Sequence, residues 1–211
     1  MDERTYAETR RSVHGLAELV LAGPRYRATR QLRLRVLADG IGTWDQPGPV
    51  FSAGELVTEE HRVAVDGLTF AEAAGRLGLA ASALDDVYHD GPGVDPAETI
   101  RLDPDALRVL ERAFAIGEEA LSAFRPDAER VLWPEHFDVA VAVDDVTYGV
   151  SPGDHFLEVP YVYVSPFDKA GLDDPFFNQP FGAATPLSDV GGPEEVAAYF
   201  ERGRTLLSGR S

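Results

Sequence analysis

The 211-residue chain has no cysteine. That excludes a disulfide framework, a thiolate nucleophile and any Cys-ligated zinc or iron–sulfur centre. Lysine is almost as scarce: Lys169 is the only one, and arginine supplies the rest of the 19 basic side chains. These stand against 36 Asp and Glu, for a formal net charge of −17. A field of that sign repels nucleic-acid phosphates and anionic lipid, so neither is expected as a partner. Long apolar runs are missing too, and none approaches the ~18–20 residues of a membrane helix. The opening Met1-Asp2-Glu3-Arg4 is unlike the basic-then-apolar start of a secretory signal. The expectation is a cytoplasmic protein with no membrane segment.

What is present suffices for a core. At 22.9 kDa and 44% hydrophobic residues, the chain is long enough for one domain that buries roughly 70% of its unfolded surface. Charge is uneven. Residues 1–38 hold eight arginines against four carboxylates, about +4, which leaves about −21 on the remainder. Mutual neutralisation at the surface is the simpler reading of that asymmetry, ahead of a dedicated anion-binding arginine patch.

Periodicity predicts a helix over 4–22, with Tyr6, Val13, Ala17 and Val20 on one stripe and Gly23-Pro24 as its stop. Residues 26–37 alternate as a strand whose outer face carries Arg27, Gln31, Arg33 and Arg35. A second strand over 55–65 could set its glutamates opposite them. Thr69 and Glu72 form a capping box before a short helix, 70–77. Asp103-Pro104 caps and opens a long helix, with Leu107, Leu110, Phe114, Gly117, Leu121 and Phe124 on one packing seam. Strands follow over 137–143, 146–151 and 159–164, then a loop over 171–186 carrying Phe176, Phe177 and Phe181. Pro193 opens a last helix. The sum is a single α+β domain over 1–211: an antiparallel sheet packed by three or four helices. Two strand-rich stretches, about 26–65 and 137–164, are joined by a helical segment of about 69–124.

Several motifs resemble chemistry and fail on physical grounds. Gly149-Val150-Ser151-Pro152-Gly153 matches a nucleophile elbow, but the residue after the serine must donate a backbone N–H, and Pro152 has none. Residues 69–88 have the spacing of a helix-turn-helix, with Gly78 at the turn and Ser82 at the second cap. The would-be recognition helix carries Asp85 and Asp86 and no base, so helical-hairpin packing is the reading. Arg11, His14 and Glu18 share one helix face, as a surface ion-pair ladder does.

Two acidic–histidine–phenylalanine triplets remain: Glu135-His136-Phe137 and Asp154-His155-Phe156. Their proximity depends on the hairpin turn. A turn at Pro152-Gly153 keeps them apart. A turn at Asp144-Asp145, which the alternation favours, sets Val143 against Val146 and Val139 against Val150, and carries residue 136 towards 153. Glu135, His136, Asp154 and His155, with Asp138 near, would then form a cluster suited to a divalent Zn, Mn or Fe. Such a metal can acidify a bound water, and a His–Asp pair can act as a general base without one.

The runs Leu132–Asp138, Asp144–Asp154, Pro180–Ala184 and Gly15–Leu19 resemble a family of uncharacterised actinobacterial proteins of about this length. The resemblance implies a single cytoplasmic module and transfers no activity and no functional residue. The leading expectation is a module that binds a small molecule or a protein, in an apolar cleft near Tyr161, Tyr163, Phe176 and Phe177. The alternative is a metal-assisted hydrolase using His136, His155, Asp154 and Glu135. A third class, a structural homo-oligomer, would expose a large apolar patch.

Overall fold

The computed structural model describes residues 2–38 and 40–209. The fold is α+β, with ten strands among the described residues. The chain divides into two compact units, Met1–Glu111 with Leu132–Phe137, and Arg112–Val131 with Asp138–Ser211. No helix among the described residues is long and apolar enough to cross a membrane.

In the first unit α1 (Glu3–Gly15) is capped by Asp2, whose carboxylate accepts from the Thr5 N–H at 2.8 Å. It runs into a π-helical segment, Leu16–Ala22, in which all seven residues are buried. A segment apolar at every position but Glu18 belongs inside a core, and this one packs against β2 (Gly40–Thr43) and α3 (Phe70–Gly75). Gly23-Pro24 does not stop the helix. Proline at the first turn sacrifices no helical hydrogen bond, so the chain continues as α2 (Gly23–Thr29) until Arg30 takes a left-handed conformation. The expected strand over 26–37 is therefore reduced to β1 (Leu34–Leu37).

All strand pairings in this unit are antiparallel. β1 lies between β2 and β6 (Val131–Trp133); then come β3 (Val50–Ser52), β4 (Glu55–Val57) and β5 (Arg62–Ala64). The expected 55–65 strand is thus a hairpin, because Thr58–His61 turns back on itself. Its Glu55 meets Arg62 at 2.5 Å instead of the arginines of β1. The capping box forms as expected: the Glu72 N–H donates to the Thr69 hydroxyl and the Glu72 carboxylate accepts from the Thr69 N–H. The second half of the helical hairpin does not form. Ser82 donates its N–H to the Leu19 carbonyl instead of capping a helix, and residues 84–88 make one turn.

Asp103 caps α4 (Pro104–Phe124), accepting from the Asp105 and Ala106 N–H groups, and the whole predicted seam is buried. In the second unit the antiparallel order is β10 (Ala183–Pro186), β9 (Tyr161–Pro166), β8 (Val146–Ser151), β7 (Asp138–Val143). The turn is at Asp144-Asp145, both left-handed, with Val143 opposite Val146 as the alternation predicts. β10 falls within the stretch expected to be loop, and the short helix α5 (Leu187–Val190) follows it. One sheet face meets helices: Val139 and Val150 sit against Gly117, and Tyr148 clusters with Phe124 and with Phe200 of α6 (Pro193–Ser208). The other face carries Asp138, Ala140, Ser151, Tyr161, Tyr163 and Ala184.

Candidate functional site

The two histidine triplets occupy different units. The ladder of β7 and β8 begins at Val139↔Val150 and does not reach residue 136. Phe137 is left-handed there, and its N–H donates to the Trp133 carbonyl at 2.7 Å, so residues 133–137 form their own turn. That turn leaves Glu135 half-buried and His136 exposed. In the second unit Asp154 closes a turn of its own. Its Oδ1 accepts from the Phe156 and Leu157 N–H groups at 2.7 and 3.0 Å, and its Oδ2 from the Tyr161 hydroxyl at 2.7 Å. His155 is exposed. Among the described residues no group of three or more His, Asp and Glu is placed to hold a metal ion.

The four aromatic candidates are not gathered into one cleft. Tyr163 stands in a row with Ala140, Gly149 and Ala184, whose small side chains leave room for its ring. Tyr161 and Tyr163 are only 5% and 9% exposed, and Leu157 and Phe181 pack against their cluster. Their hydroxyls donate to Asp154 and Asp138; burial, reinforced by these carboxylates, pushes both phenols well above their ordinary range. Phe176 lies on the opposite face. It packs on Tyr199 and beside Gly203 of α6, where Val164 also arrives, with Phe177 edge-on to it. Strand alternation separates the tyrosines from the phenylalanines.

Periodicity assigns Arg11, His14 and Glu18 of the first unit to the surface, and the fold leaves Arg11 exposed, half-buries His14 and buries Glu18. Arg11 does form an ion pair, two hydrogen bonds to Glu98 at 2.6 and 3.1 Å and a third to the Gly93 carbonyl. His14 instead stacks on Phe137, with centroids 4.7 Å apart and planes within 7°, and its Nε2 lies 2.7 Å from the Pro134 carbonyl. Loss of hydration pushes this imidazole down to about 4. Glu18 is 2% exposed in the π-helical segment. Its carboxylate accepts from the Tyr88 hydroxyl at 2.8 Å and the Leu84 N–H at 3.4 Å, and burial still holds its pKa above the ordinary glutamate value. Glu18 thereby fastens the 79–88 stretch to the helix. Arg27 adds two hydrogen bonds to Asp86 and one to the Ala83 carbonyl. At Gly23 a Cβ would lie 1.9 Å from the Ser82 carbonyl oxygen, so only glycine permits this approach.

This anchoring completes a cavity of about 200 Å³. Val20 and Leu21 come from the π-helical segment, Pro24, Arg25 and Ala28 from α2, and Leu79 from the anchored stretch. Thr43, Asp45, Pro47, Gly48 and Pro49 form the facing wall. The 43–49 loop is held by its own bonds: the Gln46 amide donates to the Thr43 carbonyl at 2.8 Å, and the Thr43 hydroxyl to the Asp45 carbonyl. Gly48 allows the loop to close, since a Cβ there would sit 2.1 Å from the Thr43 hydroxyl oxygen. Arg25 and Asp45 pair at 2.5 Å with side chains 36% and 52% exposed. The Arg25 Nε is buried without a hydrogen-bond partner among the described residues. An apolar enclosure beside one paired cation and anion is a combination that orients small ligands.

A second cavity, about 310 Å³, is lined by Thr5, Glu8, Thr9, Asp66, Gly67 and residues 99–103. Its polar groups serve the scaffold. Asp66 accepts from the Leu102 N–H, Thr9 from the Asp103 N–H, and Asp103 caps α4. Compared with known proteins, the chain matches no family profile, no curated protein and no solved structure.

Proposed function

We propose that this protein is a cytoplasmic small-molecule-binding module whose site is the cavity between the π-helical segment and the 43–49 loop. The observation that carries the reading is the Arg25–Asp45 pair set half-exposed against walls of Val20, Leu21, Pro24, Pro47 and Leu79. A charged pair fixes a ligand's orientation, and the apolar walls supply the burial energy.

The test is a thermal-shift survey of small polar metabolites on the wild type beside Leu79→Trp. Leu79 is half-buried, so the larger ring can fill the cavity without disturbing the core. Compounds that stabilise the wild type and leave the variant unmoved support the site. Compounds that stabilise both equally place binding elsewhere.

A further inference from the structure

We infer that the ligand of this cavity is a small zwitterion, an α-amino acid with a branched aliphatic side chain. The inference rests on the reading of the cavity as a binding site and adds the chemical class of its occupant. Arg25 and Asp45 are both lining residues, and both are exposed enough for a ligand to reach. They already neutralise each other at 2.5 Å.

A simple carboxylate entering beside this pair would satisfy Arg25 but set a second negative charge against Asp45. A simple amine would satisfy Asp45 and crowd Arg25. An ammonium and a carboxylate on one carbon meet both at once, and the four charges then alternate in sign, so neither residue loses a partner without gaining one. The net charge of −17 acts in the same direction, because its field opposes anions and is indifferent to a molecule of zero net charge.

The rest of the enclosure selects what the α-carbon carries. Val20, Leu21, Pro24 and Leu79 offer no hydrogen-bonding side chain, and the Thr43 hydroxyl already donates to the Asp45 carbonyl, so a polar substituent would be desolvated there with little compensation. A volume of about 200 Å³ is below the roughly 300–1,000 Å³ of sites for drug-sized ligands and suits an aliphatic chain of a few carbons.

The experiment is calorimetric titration of the intact chain with L-leucine and with two analogues that each delete one charge: 4-methylpentanoate, lacking the ammonium, and 3-methylbutylamine, lacking the carboxylate. Methyl NMR of Val20, Leu21 and Leu79 is recorded in parallel. L-Leucine is expected to bind at least about tenfold more tightly than either analogue, the difference one charge-assisted hydrogen bond makes. Arg25→Gln and Asp45→Asn should each reduce L-leucine to the level of an analogue. The wild-type ligand series stands even if a variant folds poorly. If an analogue binds as tightly as L-leucine and shifts the same methyl signals, the zwitterion is wrong and the cavity reading survives. If none of the three probes shifts those signals, the branched amino acid is wrong, and the cavity reading falls with it only when every compound of the thermal survey is equally silent there.

Discussion

The Tyr88 hydroxyl donates to the buried Glu18 carboxylate at 2.8 Å, joining a π-helical segment to a stretch seventy residues further along the chain. This bond and the Leu84 N–H on the same carboxylate hold the 79–88 stretch where Leu79 can floor the cavity. Removing the carboxylate strands two buried donors. Glu18→Ala should cost about 2–4 kcal/mol in urea unfolding, and Glu18→Gln, which keeps an acceptor, should cost less. The pH dependence has a definite sign. The Glu18 pKa is higher folded than unfolded, so its ionisation weakens the fold as pH rises from the ordinary glutamate value through the folded one. Glu18→Gln should abolish that component of the stability profile.

His14 acts in the opposite direction. Its folded pKa is pushed down to about 4, below the roughly 6.5 of an unfolded histidine. The stability it contributes is present in full above about pH 6.5 and lost as pH falls towards 4. The neutral ring must carry its proton on Nε2 to donate to the Pro134 carbonyl. Nitrogen NMR should therefore find the Nε2–H tautomer at pH 7 and a midpoint near 4. A midpoint near 6.5 would show that the ring is not desolvated on Phe137.

At the β7–β8 turn Asp144 and Asp145 both adopt left-handed conformations. That geometry strains a residue with a Cβ and suits glycine. Asp145→Gly should stabilise the protein by about 0.5–1 kcal/mol, since the relief of strain exceeds the entropy glycine loses. A destabilised variant would mean that the Asp145 side chain makes an essential contact.

This hairpin was legible in the sequence because two acidic residues separate Val139–Val143, where valine alternates with alanine, from Val146–Ser151, where Val, Tyr and Val alternate with Thr, Gly and Ser. Asp103-Pro104 and Thr69 with Glu72 were legible for a similar reason: each is a local signal whose partner lies within three residues. What could not be read locally was lost. Gly23-Pro24 fits a helix stop and equally a helix start, and only the close approach of the Ser82 carbonyl decides between them. The cavity was invisible for the same cause. Arg25, Asp45 and Leu79 come from three distant stretches, and no period links them. The tyrosine and phenylalanine candidates were grouped by composition, whereas alternation along β9 places Tyr163 and Val164 on opposite faces of the sheet.

Exposed His136 and His155, in different units, should contribute little to folding. His136→Ala and His155→Ala are expected to change stability by no more than about 0.5 kcal/mol. Added Zn²⁺, Mn²⁺ or Fe²⁺ should leave the melting temperature of wild type and variants alike. Near-stoichiometric metal in the purified protein, lost in both variants, would instead revive the hydrolase alternative.

The cavity beside Arg25 and Asp45 is the ligand site we propose. Its most direct test is methyl NMR of the wild type during titration with L-leucine. Saturable shifts concentrated at Val20, Leu21 and Leu79, and absent in Leu79→Trp, are the predicted result. Signals at those three residues that stay fixed throughout the titration, with every other probe of the thermal survey equally silent there, would contradict it.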